Sequence, residues 1–208
     1  MTTTHPFKAA LLASLGVILL LFLSASHSTE TPAPLPGDSL YQLDIPVTDQ
    51  SGNTYPWAQG RGHVRVVSMF YTSCRYVCPL LVDTLKSVEH GVPEALRGGL
   101  HLSLISFDPA RDDVMALASV ATKRTLDPAR WQLLRMDAEH VRELAAVLDI
   151  QYRQTPDGEF NHASRLVLLD AEGRMLARSD KLGVADVAFV LATIEALKTE
   201  QRAKTDKK

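Results

Sequence analysis

Cysteine is nearly absent from this chain of 208 residues: there are 2, Cys74 and Cys78. That excludes the disulfide framework by which small secreted folds staple themselves, and it places any thiol chemistry on one close pair. Net charge is equally scarce, with 22 Lys and Arg against 24 Asp and Glu and a formal balance of −2 at pH 7. Without a global basic field, no nucleic-acid partner is expected. Internal repeats, a phosphate-cradling glycine loop, paired catalytic carboxylates and a Ser-His-Asp arrangement are not recognisable either. What is present, 46% hydrophobic and 22% charged residues, excludes a disordered or collagen-like chain and suits one globular domain.

The amino-terminal segment reads differently from the rest. Lys8 is the first Lys, Arg, Asp or Glu and the next is Glu30, with an apolar run from Ala9 to about Ala25 between them. As a helix that run is roughly 25 Å long, between a signal-peptide core and a full membrane span. Residues 1–28 are therefore expected to be a signal or membrane anchor, and Lys8 on the amino side favours an inside amino terminus, with the remainder across the membrane, facing the periplasm or exported. No cysteine follows the run, which excludes a lipoprotein anchor. Residues 29–37, TETPAPLPG, carry three prolines and read as an extended, semi-rigid linker.

From Asp38 the pattern alternates between strand and helix. Strands are expected at Tyr41–Val47, Val64–Tyr71, Leu102–Phe107, Gln132–Met136, Arg165–Asp170 and Met175–Arg178. Hairpin turns are expected at Asp49–Asn53 and Ala171–Gly173, where glycine supplies positive φ. Helical periodicity follows Cys78 and recurs in Val114–Thr122, His140–Leu148 and Val184–Leu197. In the last of these, Val184, Val187, Leu191, Ile194 and Leu197 form a stripe expected to face the core. The whole is a layered α/β sandwich over residues 38–198, ending in a solvated charged tail at 199–208.

The chemically loaded segment is Phe70–Pro79, FYTSCRYVCP, between an apolar strand and a helix. A helix amino terminus lowers a thiol's pKa, and Arg75 adds a full charge nearby. The spacing of four puts the two sulfurs about one helical turn apart, which allows a shared metal ion or, with adjustment, a disulfide. A plainer alternative is that Cys78 is a small core residue, since Cys78, Leu81, Leu85 and Val88 share a helical stripe. Among the 7 histidines, His162 is the candidate third ligand, because it precedes the apolar strand Arg165–Asp170 at a junction that can face the cysteines. His5 and His27 belong to the export segment, and His63, His90, His101 and His140 fall at element edges.

Three motifs together, Cys74-x-x-x-Cys78-Pro79, Ile105–Asp112 and Asn161-His162 ahead of a strand ending in Asp170–Gly173, resemble the Sco/SenC family over roughly Leu43–Leu197. The resemblance implies a membrane-tethered, thioredoxin-like fold, with a central mixed sheet flanked by helices. It also implies one copper ion held by Cys74, Cys78 and His162, in a metallochaperone that helps assemble the binuclear copper centre of cytochrome c oxidase. The partner implied is that oxidase's copper-bearing subunit, or another exported copper protein. Asp108 and Arg75 stand beside these ligands rather than among them. The family commonly has proline directly after the first cysteine; Arg75 takes that place here, where it would raise thiolate character, repel a cation or contact a partner.

Ligand softness agrees with copper: two thiolates and one imidazole suit Cu(I), and Cu(II) if a further donor joins, whereas structural zinc wants four protein ligands. The alternative is a thiol-disulfide oxidoreductase that cycles Cys74 and Cys78 and keeps a partner's metal-site cysteines reduced. The usual spacing for that chemistry is Cys-x-x-Cys, and it has no need of His162.

Overall fold

The computed structural model describes residues 33–74 and 77–206, so the expected anchor at 1–28 and the side chain of Arg75 lie outside the described residues. Pro34–Lys208 form one compact unit. Among the described residues no helix is long and apolar enough to cross a membrane.

The two longest strands, Val64–Phe70 and Leu100–Ser106, form the middle of the sheet. The strands are β1 (Pro46–Asp49), β2 (Thr54–Pro56), β3 (Val64–Phe70), β4 (Leu100–Ser106), β5 (Trp131–Arg135), β6 (Tyr152–Gln154), β7 (Phe160–His162), β8 (Leu166–Leu169) and β9 (Met175–Ser179). The helices are α1 (Val77–Gly91), α2 (Glu94–Arg97), α3 (Val114–Lys123), α4 (Ala138–Leu148) and α5 (Val187–Thr205). One mixed sheet of 7 strands runs β2-β1-β5-β4-β3-β8-β9, and β6 and β7 form a separate two-stranded ribbon. β3, β4 and β5 are parallel, joined by crossovers through α1 and α3, while β1, β8 and β9 pair antiparallel. Every residue of β3 is buried. A strand buried along its whole length needs cover on both faces, and the right-handed crossovers place α1 and α3 together on one of them. Because three parallel strands end on the same side, the loops after β3 and β4 meet there, where open α/β sheets form their sites.

Both expected hairpin turns form. Asp49 accepts N–H bonds from Ser51 (2.8 Å) and Asn53 (3.0 Å), and Asp170 accepts from Glu172 and Arg174 (both 2.9 Å). Gly173 has φ 82°, and a Cβ there would sit 2.5 Å from the Tyr41 ring, so the turn requires glycine on both counts.

The beginning and end of the domain differ from the sequence expectation. Tyr41–Val47 is not one strand: Leu40–Gln42 is a 3₁₀ turn capped by Ser39, whose oxygen accepts the Tyr41 N–H at 3.1 Å, and the strand begins at Pro46. Local side-chain capping outcompetes the extended form, and the Leu40 N–H donates to the Gly173 carbonyl at 2.9 Å. Of the apolar stripe expected over Val184–Leu197, Val184, Val187 and Leu191 are exposed by 66%, 71% and 58%, whereas Ile194 is partly buried and Leu197 lies in the core. Asp186 caps the helix, which starts at Val187, and the buried face is Phe189, Thr193, Ala196, Leu197 and Glu200, sharing Leu197 with the expected stripe. The same helical period fits this second stripe, which carries the larger Phe189; Thr193 becomes tolerable inside by donating its hydroxyl to the Phe189 carbonyl at 2.8 Å. Nor is residue 199 the start of a frayed end, since α5 runs to Thr205 and buried Glu200 accepts the N–H of Val64 at the head of β3 (3.3 Å).

At that same edge of the sheet, opposite the cysteine loop, the rings of His63 and His101 lie 4.4 Å apart. Burial, then the neighbouring His63, Arg65 and Lys204, push the His101 pKa down to about 4. The folded protein therefore keeps the ring neutral down to about pH 4, whereas an unfolded chain protonates it near 6.5, so acid favours unfolding within that window. Between pH 6.5 and 4 the His101→Gln protein should lose less stability than the parent in urea unfolding series; equal losses would show that His101 contributes nothing to the acid limb.

Candidate metal centre

The chain leaves β3 at Phe70 and turns through Tyr71–Cys74 before α1 begins. Cys74 thus stands ahead of the helix, and Cys78 is the second residue of α1, so the pair is not two positions along one regular helix. The Cys78 N–H donates to Cys74 Sγ at 3.3 Å. First-turn amides have no partner within a helix, and here one of them is aimed at a sulfur, which together with the helix dipole favours the Cys74 thiolate. Cys78 is buried on the Leu81, Leu85 and Val88 stripe, as its core alternative required. Burial raises its thiol pKa well above the ordinary value; the Tyr71 backbone opposes that shift, and Cys74 and Asp112 add to it. Cys78 therefore ionises with difficulty unless a cation replaces its proton. A cleft of about 120 Å³ bounded by Val82, Val120, Lys123 and Arg124 opens onto both cysteines.

The loop holding Cys74 is fixed by a group that sequence reasoning did not single out. Asp112 is fully buried, and its carboxylate accepts the Thr72 N–H (3.0 Å), the Thr72 hydroxyl (2.5 Å) and the Ser106 hydroxyl (2.5 Å). Ser106 in turn accepts the Asp108 N–H at 3.0 Å. Arg135 donates to the backbone carbonyls of Asp112 (3.0 Å) and Pro109 (3.2 Å). The loops after β3 and β4 are thereby locked to one another. Asp108, expected beside the ligands, is buried with its carboxylate paired to Arg111.

His162 arrives from the ribbon, where β7 pairs with β6 in the register Tyr152↔His162. Sequence patterning missed this ribbon because each of its strands has three residues; the Pro156-Asp157-Gly158 turn between them was the available signal. The ring packs against Phe107 with centroids 4.9 Å apart and edge-on to Tyr71 at 6.0 Å. Its Nδ1 lies 3.2 Å from the Ala163 carbonyl. A carbonyl only accepts, so Nδ1 carries the proton and the Nε2 lone pair is left for a ligand role. Burial lowers the pKa of the ring, partly opposed by that hydrogen bond, and neutral imidazole is the form that ligates.

One ligand atom each from Cys74, Cys78 and His162 lies within 4.8 Å of the others. Bonds of about 2.3 Å or less to a shared ion allow ligand atoms up to about 4.6 Å apart, so only small side-chain movements separate this arrangement from coordination. His162, distant in sequence from Cys74 and Cys78, is brought to them. Tyr71 closes one wall, its hydroxyl donating to Glu159 at 2.7 Å.

The fold and site define a thioredoxin-like protein with a soft, three-ligand metal pocket at the ends of its parallel strands. The family model SCO1/SenC matches residues 37–198, and the chain belongs to that family. No curated protein sequence matches it. Among solved structures it resembles a putative electron transfer protein from Aquifex aeolicus (TM-score 0.68, 20% identity, covering 78% of this chain and 94% of that one). It also resembles yeast Sco1 with copper bound (TM-score 0.61, 20% identity, 77% and 92% covered). A third is BsSco, described as a member of the Sco family of cytochrome c oxidase assembly proteins with a disulfide switch (TM-score 0.61, 18% identity, 74% and 91% covered).

Replacing Asp112 by Ala leaves the Thr72 amide and the Ser106 hydroxyl without their acceptor. The expected cost is about 2 to 3 kcal/mol in urea unfolding, together with faster alkylation of Cys74 in the native state. Unchanged stability and unchanged alkylation would rule out the anchoring role.

Proposed function

We propose that this protein is a copper carrier that holds one ion through Cys74, Cys78 and His162 and delivers it to, or prepares, the binuclear copper centre of cytochrome c oxidase. The observation that carries this reading is the convergence of two sulfurs and a neutral imidazole within 4.8 Å. Soft sulfur ligands select Cu(I), and a three-ligand set leaves a side from which a partner's thiolate or imidazole enters before the carrier's ligands leave. The copper bound to yeast Sco1 and the oxidase-assembly role of the family to which BsSco is assigned support the same cargo and destination. The apolar run at 9–25 and the proline-rich linker at 29–37 support a membrane tether, with the carrier domain on the periplasmic side, within reach of a membrane oxidase.

In this chemistry each residue has a separate task. Cys74, with a helix amide on its sulfur, is the accessible thiolate that meets the incoming ion. Cys78 gives up its proton as the metal arrives, and because burial disfavours its bare thiolate, it stays protonated until then. His162 presents Nε2 as the third donor.

A second reading, thiol-disulfide exchange that keeps a partner's metal-site cysteines reduced, is favoured by the Cys78 amide on Cys74 Sγ, which suits a nucleophilic thiolate. His162 separates the two. Loaded anaerobically with copper, the reduced full chain should hold one ion per chain with intense thiolate-to-Cu(II) absorption on oxidation, and His162→Ala should lose or weaken it. Absence of tight copper in the intact protein, with a reversible Cys74–Cys78 disulfide indifferent to His162→Ala, would overturn the carrier reading in favour of the reductase.

A further inference from the structure

The ribbon that presents His162 shares no strand pairing with the main sheet, so beyond its chain connections to α4 and β8 it is held in place by side-chain contacts. Beyond the aromatic packing, two polar ties reach it from the body of the domain. Tyr71 donates to Glu159 at 2.7 Å. Arg111, in the loop after β4, donates through Nη2 to the carbonyl of Gly158 at 2.6 Å. The same guanidinium pairs through Nε with the buried carboxylate of Asp108, and its carbon lies 5.7 Å from the centre of the Phe160 ring. Gly158 sits at the ribbon's tip with φ 84°, and a Cβ there would lie 3.7 Å from Arg111 Nη1, which brings the backbone close to the cation.

We propose that Asp108 and Arg111 form a positioning pair that holds the ribbon tip and thereby sets His162 in register with Cys74 and Cys78. The assignment rests on the copper reading for its consequence, although the clamp itself does not need copper. The chain of contacts is continuous. Asp108 is held by its own N–H on Ser106, Ser106 donates to Asp112, and Asp112 holds Thr72 in the cysteine loop. The loop after β4 therefore grips the thiolate half of the site with Asp112 and the imidazole half with Asp108 and Arg111. Arginine suits this place because its planar fork can serve a carboxylate with one nitrogen and a carbonyl with another, whereas a lysine ammonium is a compact point charge. Asp108 and Arg111 act through residues 158–160.

The test compares Arg111→Ala and Arg111→Lys with the parent full chain, each reduced. In the metal-free proteins, NMR of the His162 ring protons reads the ring-current field of Phe107 and Tyr71 directly. Arg111→Ala should move these signals toward exposed-histidine values while the signals of the sheet core stay in place. With copper loaded, Arg111→Ala should bind about 10-fold or more weakly, the scale on which groups behind metal ligands act, and the imidazole nitrogen hyperfine in the Cu(II) EPR spectrum should weaken. Arg111→Lys should fall between the two and serves as the readout if the alanine protein does not fold. Parental His162 shifts in a folded variant would overturn the positioning role whether or not copper binds. Failure of the parent protein itself to bind copper would instead overturn the carrier reading and leave the NMR comparison to decide the clamp.

Discussion

The buried carboxylate of Asp112 is the constraint on which the site depends. A carboxylate removed from water is costly unless its oxygens are satisfied, and of the three donors that satisfy this one, two come from Thr72 in the loop after β3 and one from Ser106 at the end of β4. The energy that makes Asp112 tolerable inside is the same energy that fixes the turn carrying Cys74. Thr72 lies two residues from the first cysteine, so little chain remains between the anchor and the sulfur. A rigid scaffold of parallel strands thus ends in a loop that is itself rigid on one side, which is what a preformed thiolate position requires.

The two halves of the pocket are built on different principles. The cysteines rest on β3 and α1, inside the cooperative core, and Cys78 is part of that core's packing. His162 rests on a short ribbon outside the sheet, held by aromatic contacts and by polar ties to Tyr71 and Arg111. Short ribbons without sheet partners are marginal alone, so the imidazole is the donor most easily withdrawn. Under the proposed carrier function, a fixed pair of sulfurs and a separately mounted third ligand would divide retention from release.

Much of the chemistry was legible along the chain because it is local. Cys74 and Cys78 lie four positions apart after an apolar strand, and that spacing at a strand-to-helix turn brings the sulfurs near a helix terminus in almost any α/β context. The central strands were legible because burial along their length demands predominantly apolar residues. Less legible were elements whose sequence fits two structures. The α5 region carries two apolar stripes at helical spacing, and the choice between them lay with the surface it docks on. Leu40–Gln42 looks extended until Ser39 caps it and Gly173 makes room for Tyr41.

By itself the sequence determined the fold class, the thiol pair, the turn glycines and the candidacy of His162, since each depends on residue type and near-neighbour spacing. Tertiary structure alone decided that Asp112 is an anchor, that Asp108 serves Arg111, that Glu200 belongs to the core and that His162 Nδ1 meets the Ala163 carbonyl, which places its proton there. Those outcomes depend on which long-range partners satisfy a buried polar group. A carboxylate's sequence neighbours do not reveal whether it will meet water, a cation or a backbone amide, and here the difference separates a surface charge from the tie that holds the metal pocket together.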